Sequence, residues 1–385
     1  MPKLWTKNFV FATFSGLFSS MVFYVTMTTL VGYAQGAFGA SEGMSGLVVG
    51  IFVIGGAAGR LFGGRYIEEI GRRKLLLVSG AAFALVSAMY MLPLNLSALM
   101  IIRLLHGAAF GAFHNALSTV VVAFIPVPRR GEGIGYFSLN FVIATALGPF
   151  IGLYFAQHVG YGALFALNAG FALAAFVLAL FVRTQAAVQR GAAKKGGLFE
   201  PKALPLACVI IFMSICYTGV TAFLDSYAAE QGAAAIAPWF FIIYGAAILV
   251  ARPLAGKLLD KRGGNIVMLP SIAFFAVSLL VLSFADGAWL FALSAVLMAL
   301  GYGNILNMGQ ALAVGASPPE RVGTATSTYF VFSDTGMGAG PLIMGLVVSL
   351  RGFSGMYVVA AIVAALGLGL YWVLWGRNIS ATTRR

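Results

Sequence analysis

The chain has 385 residues, 61% of them apolar and 9% charged, with 48 glycines and a mean hydropathy of +0.95. Soluble domains carry roughly 25% charged residues, so this composition excludes an ordinary water-soluble globule. Lys and Arg total 24 against 11 Asp and Glu, but no nucleic-acid motif accompanies the net charge of +13; it reads as membrane topology and contact with anionic lipid headgroups.

Apolar blocks of about 20 residues recur along the chain, each long enough to cross a hydrocarbon core of about 30 Å. Backbone groups inside lipid must bond within their own segment, and sustained strict alternation is missing, so the blocks predict helices and not barrel strands. The first lies near 9–34, after MPKLWTKNF, which has no small-residue cleavage site and is expected to stay on the chain. It offers Tyr24, Thr26, Thr28 and Thr29 but no acid. Spans follow near 44–64, 75–94, 98–123, 133–157 and 161–183, the fourth carrying Arg103, His106, His114 and Asn115. After the polar stretch 184–203 come spans near 204–228, 236–256, 266–285, 288–315, 323–348 and 354–376. Span 7 holds Cys208 and Cys216, which lack metal-ligand partners nearby and read as small packing residues. The fold class expected is an all-α membrane protein with 12 transmembrane helices.

Twenty-two of the 24 Lys and Arg lie at the termini or at the connections after even-numbered spans; only Arg103 and Arg351 fall elsewhere. By the positive-inside bias both termini are cytoplasmic.

The chain also repeats at a constant offset of 192 residues. Arg60, Gly64 and Gly71 overlie Arg252, Gly256 and Gly263; Gly111 and Asn115 overlie Gly303 and Asn307; Gly148-Pro149 overlies Gly340-Pro341. Two six-helix bundles in the same orientation follow, 1–183 and 204–385, joined by a cytoplasmic linker at 184–203. A parallel repeat of this kind is a secondary-transporter plan, with a substrate site between the halves near mid-membrane. The lesser alternative is a duplicated structural membrane protein, since the repeat alone proves only duplication.

The connection GRYIEEIGRRK, 64–74, resembles the signature loop of the major facilitator superfamily. Gly64, Gly71, Arg73 and Lys74 fit it, Glu68 stands where the family has Asp, and the second-half copy keeps Asp260. The resemblance implies the major facilitator fold, with this loop locking one state through carboxylate contacts; the plainer reading is a solvated charged turn. GYFSLNFVIATALGPFIG, 135–152, is similar to the superfamily's antiporter motif through Gly135, Gly148, Pro149 and Gly152, with Ala144 replacing a glycine. RLLHG, 103–107, resembles a motif whose arginine the family implicates in proton coupling.

Transport of this kind needs a cargo site, a titratable group and two packings of the halves. Charges inside spans are the first candidates, because insertion scales assign them about 2.5–3.5 kcal/mol each at a helix centre. Asp334 sits midway along span 11 and its repeat counterpart is Val142, so the repeated fold does not require it. It is a proton carrier, a carboxylate bonded to nearby hydroxyls or backbone, or a cargo contact. Arg103 and His114 are the companion proton-coupling candidates, and His114 and His106 are alternatively packing residues. Candidate cargo contacts are His114, Asn115, Tyr217, Asp225, Tyr244, Asn304, Asn307, Gln310 and Tyr329; helix-to-helix bonding and packing are the structural alternatives. Gly340 and Pro341 are expected to weaken span 11, and the Gly336–Gly340 pair to permit close helix packing.

The resemblance therefore implies a proton-coupled secondary active transporter that exports small amphiphilic compounds or drugs by proton antiport. An efflux or uptake carrier for one polar metabolite (sugar, organic acid or metallophore) is the alternative, and a non-transporting receptor or scaffold the alternative of another class. No enzyme motif, metal cluster or cofactor is expected, the proton gradient supplying energy. The expected partners are a small-molecule substrate, protons and membrane lipid, with no nucleic acid, and the resemblance implies a monomer. The expected location is the plasma membrane, or the inner membrane in a Gram-negative source.

Overall fold

The computed structural model describes residues 4–92, 95–126, 130–183, 199–318 and 321–377. Most of the expected linker therefore lies outside the described residues, as do the side-chain surroundings of Gly64, Glu68, Gly135 and Asp260. The described residues form α-helices with short 3-10 and π turns and no strands. In chain order these are α1 (Lys7–Phe38), α2 (Glu42–Ile70), α3 (Arg72–Ala88), α4 (Leu96–Phe124), α5 (Arg130–His158), α6 (Tyr161–Leu180), α7 (Leu204–Glu230), α8 (Ile236–Arg262), α9 (Gly264–Ser283), α10 (Ala288–Leu300), α11 (Tyr302–Gly315) and α12 (Val322–Tyr371).

Eleven helical stretches among the described residues are long and apolar enough to cross a membrane. The last, Thr324–Gly376, has 53 residues and would run about 80 Å if straight, far beyond one crossing. It breaks at Gly352, where φ 68° and ψ 178° leave the helical region. A side chain at that positive φ would be strained, so glycine is what lets one helical run serve two crossings. The tenth span divides instead, α10 ending and α11 beginning at Gly301. A β-carbon at Gly301 would meet the backbone of Phe275 on α9 at 2.5 Å. Counted this way the helices supply twelve crossings.

The chain forms two compact units, Met1–Ala40 with Ile51–Ala192, and Ser41–Gly50 with Ala193–Arg385. The first turns of α2 thus group with the second unit, which sequence boundaries at 183 and 204 do not anticipate. In the first unit α1 packs on α5 and α6, and α3 on α4 and α6. In the second, α7 packs on α12, and α9 on α10 and α12. The two internal patterns match, as the 192-residue repeat requires.

Leu254, Leu350 and Leu366 are exposed; lipid is as apolar as they are, so hiding such residues gives little gain, and close packing must hold the helices together. Gly148 and Gly152 on α5 lie against Tyr24, Val25 and Thr29 of α1. Gly336 and Gly340 on α12 lie against Ile211, Ser214, Ile215 and Thr218 of α7. Many hydroxyls bond carbonyls within their own helix, Thr26 to Val22 at 2.9 Å and Ser79 to Leu75 at 2.6 Å among them, which makes them tolerable away from water.

Candidate functional site

Among the described residues the deepest charge in the first unit is Arg103, on α4, with 1% of its surface exposed. An unaccompanied guanidinium there would be expensive, and three elements converge on it. Its Nη1 donates to Thr26 Oγ1 on α1 at 3.1 Å and to the Tyr90 hydroxyl at 3.4 Å. Tyr90 lies in the 3-10 turn Met89–Met91 that follows α3. The guanidinium also lies over the Phe52 ring of α2, 4.4 Å from its centroid, a cation–π contact.

One turn along α4, His106 is fully buried and continues the same network. Its Nε2 is 2.7 Å from Ser87 Oγ and its Nδ1 is 3.1 Å from the Tyr90 hydroxyl. The Ser87 hydroxyl already donates to the Phe83 carbonyl at 2.8 Å, so toward the imidazole it accepts. That puts the ring proton on Nε2 and makes Nδ1 the acceptor of the Tyr90 O–H, whose oxygen in turn accepts from Arg103. Every donor finds an acceptor with His106 neutral. The Phe83 ring stacks on the imidazole at 5.0 Å. His106 is thus joined through Tyr90 to the network that holds Arg103.

His114 differs. Its ring is 7% exposed, stacked on Phe110 at 5.4 Å and edge-on to Phe141 at 5.1 Å. Its Nδ1 is buried and has no hydrogen-bond partner among the described residues. Phe110 also stacks on Phe23 at 5.8 Å and meets Phe52 at 5.4 Å. The imidazole nitrogen thus sits in an aromatic surround. Asn115, beside it in sequence, is half-buried.

In the second unit Tyr217 on α7 stacks face to face on Tyr302 of α11, centroids 3.9 Å apart and planes 9° from parallel. Tyr244 of α8 lies 6.1 Å from Tyr217. The Ser214 hydroxyl lies 3.2 Å from that of Tyr302 and 3.1 Å from that of Ser333, so α7, α11 and α12 share a polar seam. Asp334 follows Ser333 directly and is half-buried on α12. Asn304 is buried; its Nδ2 donates to the Leu300 carbonyl at 2.9 Å, while its Oδ1 has no partner among the described residues. Asn307 donates back to the Gly303 carbonyl at 3.1 Å, and Tyr329 donates to the Ile305 carbonyl at 3.0 Å, joining α12 to α11. Gln310 and Asp225 are half-buried.

Of the other expected residues, Gly71 has φ 91° and separates α2 from α3. Arg73 donates Nη1 to the Val182 carbonyl at 3.4 Å, and Lys74 is exposed. Pro149 and Pro341 lie inside α5 and α12. The Pro341 carbonyl lies against Gly46, and that of Gly338 against Gly50, in the first turns of α2.

Sequence similarity extends this picture. The family model described as Major Facilitator Superfamily matches residues 12–266 and 206–383, together nearly the whole chain. The chain belongs to the major facilitator superfamily. Curated relatives include the multidrug resistance protein MdtG of Enterobacter lignolyticus, 26% identical over 99% of this chain and 95% of that one. The MdtG of Dickeya zeae is 25% identical over 97% and 95%. Among solved structures, a transporter of the POT family in complex with 5-aminolevulinic acid gives a TM-score of 0.81 at 14% identity, covering 96% of each chain. A variant of the nucleoside transporter NupG gives 0.80 at 12% identity, covering 96% of this chain and 100% of that one. At these identities the solved structures show the fold alone.

Within this superfamily member, sequence reasoning singled out Arg103, His114 and the tyrosines but not the partners that hold Arg103. Tyr90, Ser87, Phe52 and Phe83 looked like ordinary membrane residues. The usable signal was the expense of a buried guanidinium, which obliges some hydroxyl or ring to meet it. In the sequence Thr26 is one polar residue among several in the first span.

Proposed function

We propose that this chain exports small amphiphilic compounds in exchange for protons, by alternating access, as a monomer in the bacterial inner membrane with both termini cytoplasmic. The observation that carries the reading is similarity to multidrug resistance proteins over 99% of the chain. Both units supply suitable chemistry. His114 presents one buried nitrogen among Phe110, Phe141 and further rings, and Tyr217, Tyr302 and Tyr244 form an aromatic group beside Asn304. Rings with few polar atoms favour a largely apolar cargo over a densely hydroxylated one. Arg103, already engaged by Thr26, Tyr90 and Phe52, is poorly suited to receive an anionic cargo.

In this reading Asp334 carries the proton and Arg103 acts through its network, holding α1, α3 and α4 around a fixed charge. His114, Asn115, Tyr217, Tyr244, Asn304, Asn307, Gln310 and Tyr329 contact cargo or shape its site, with Asp225 a secondary polar group. Glu68 and Arg73 belong to the loop that locks one conformation and Asp260 to its second-half copy, and no cofactor takes part. Purified protein in proteoliposomes with an imposed pH gradient tests this. Addition of lipophilic cations and neutral amphiphiles should release the gradient in wild type and fail to do so in Asp334→Asn. Gradient release by the variant equal to wild type would remove Asp334 from the role. A flux of opposite sign would mean symport, and none with any compound would leave a receptor or scaffold.

A further inference from the structure

Where the ends of α1, α3 and α6 meet, a cleft of about 850 Å³ is lined by Thr6, Lys7, Asn8, Phe11, Arg73, Leu180, Phe181 and Arg183. Three of these are cations, and among the described residues no carboxylate lines the cleft. The three ends are tied together by polar bonds. The Asn8 side chain donates to the Arg183 carbonyl at 3.5 Å and accepts from the Arg183 N–H at 3.3 Å, while Arg73 Nη1 donates to the Val182 carbonyl at 3.4 Å. The cleft is therefore built by contacts that fix where the cations stand.

Two of the cations oppose their own helices. Lys7 is the first residue of α1 and Arg73 lies in the first turn of α3, and neither first turn contains an acid. A helix start is already positive, so cations there repel it unless an anion is present. Membrane topology explains basic residues at this end of the bundle, but not their convergence on one cleft. Trp5, two residues before Lys7 and 56% exposed, packs against Tyr136 at 4.9 Å, and such rings settle at the level of lipid headgroups. Below the charged rim, Leu180 and Phe181 are exposed, with Phe181 against Phe11 at 5.6 Å, an apolar wall suited to acyl chains.

We propose that this cleft binds the phosphate headgroup of an anionic phospholipid, with Lys7, Arg73 and Arg183 around the phosphate and the acyl chains along Leu180 and Phe181. Basic pockets between transmembrane helices take anionic headgroups in this way. The site shares Arg73 with the loop assigned to the lock but holds none of the groups assigned to proton or cargo, and the variants below leave Arg73 in place, so its occupancy and the export reading stand or fall independently.

The test titrates full-length, delipidated protein in detergent with phosphatidylglycerol, phosphatidylethanolamine and inorganic phosphate, and counts adducts by native mass spectrometry. Wild type should bind phosphatidylglycerol in preference to phosphatidylethanolamine, and inorganic phosphate should not displace it. Lys7→Gln/Arg183→Gln should bind phosphatidylglycerol roughly 30-fold more weakly, two surface cations being lost. Lys7→Arg/Arg183→Lys should stay near wild type, as should Lys257→Gln/Arg262→Gln, which removes equal charge from exposed positions at the end of α8. Equal weakening in the α8 control would reduce the effect to net charge and overturn the proposal. Displacement by inorganic phosphate would make this a free-phosphate site instead. Equal binding of the two lipids by wild type would also overturn it, and that arm needs no variant to fold.

Discussion

Replacing Tyr90 by Phe removes one oxygen from the middle of the Arg103–Tyr90–His106–Ser87 chain and leaves the ring stacked on Phe165, 5.6 Å away. Two bonds go. The Arg103 contact is long at 3.4 Å, and Arg103 keeps Thr26 at 3.1 Å and the Phe52 ring, so little is lost there. The His106 contact is shorter at 3.1 Å, and its loss strands a buried acceptor. Stranding such a group costs about 1–3 kcal/mol, while interhelical bonds in membrane proteins average about 0.6 kcal/mol. A destabilisation of about 1–2 kcal/mol is expected. Adding Ser87→Ala removes the 2.7 Å partner of Nε2 and leaves the imidazole with neither bond, so the double variant should fall by about 2–4 kcal/mol. His106→Phe in that background should then recover much of the loss, because an apolar ring against Phe52, Phe83 and the ring at position 90 needs no partner. Reversible unfolding in mixed detergent measures all four proteins. If the triple variant is no more stable than the double, the bonding scheme around His106 is wrong.

Other substitutions probe the packing and the second unit. Gly340→Leu forces a side chain into Ile215 and Thr218 of α7; overpacking of this kind costs about 1–3 kcal/mol, and the yield of folded protein by size-exclusion chromatography should drop sharply. Gly315→Ala, with nothing within 4 Å of the added carbon, should be neutral or raise the melting temperature, worth at most about 1 kcal/mol. Gly352→Ala places a side chain at φ 68° and should lower stability by about 1–2 kcal/mol, read by thermal unfolding. His114→Phe preserves the stack on Phe110 and removes the buried Nδ1, so melting should hold or rise while the range of compounds that release a pH gradient changes.

Much of the fold was legible because membrane physics writes it in long, coarse signals. A span needs about 20 apolar residues whatever its partners, and a repeat at constant offset aligns Gly148-Pro149 with Gly340-Pro341 without any structure. The structure puts that pair to matching use, packing α5 on α1 and α12 on α7 through nearby glycines. One feature was not legible in detail. The expected spans 323–348 and 354–376 already leave Gly352, beside Arg351, in a connection, whereas nothing in the sequence marks Gly301 as the place where span 288–315 divides.

The candidate sites were half legible, and the reason is a loss of contrast. In a soluble helix the buried face stands out because the other face is polar. In a membrane helix both faces are apolar, so the pattern around Tyr90, Phe52 or Phe83 does not say which side meets protein. Polar residues remain visible against that background, and Arg103, His106, His114, Asn304 and Asp334 were found in this way. Their partners lie 13 residues from Arg103 in one case and 77 in another, separations set by helix register and not by any local rule. The same argument separates the two histidines. His106 has both nitrogens met by hydroxyls from α3 and the turn after it, whereas His114 faces rings that offer its Nδ1 nothing. Identical residues two turns apart on one helix thus differ in chemistry because their neighbours come from distant parts of the chain. His114 Nδ1 has no hydrogen-bond partner among the described residues, and it is this nitrogen that the proposed export reading gives to the cargo.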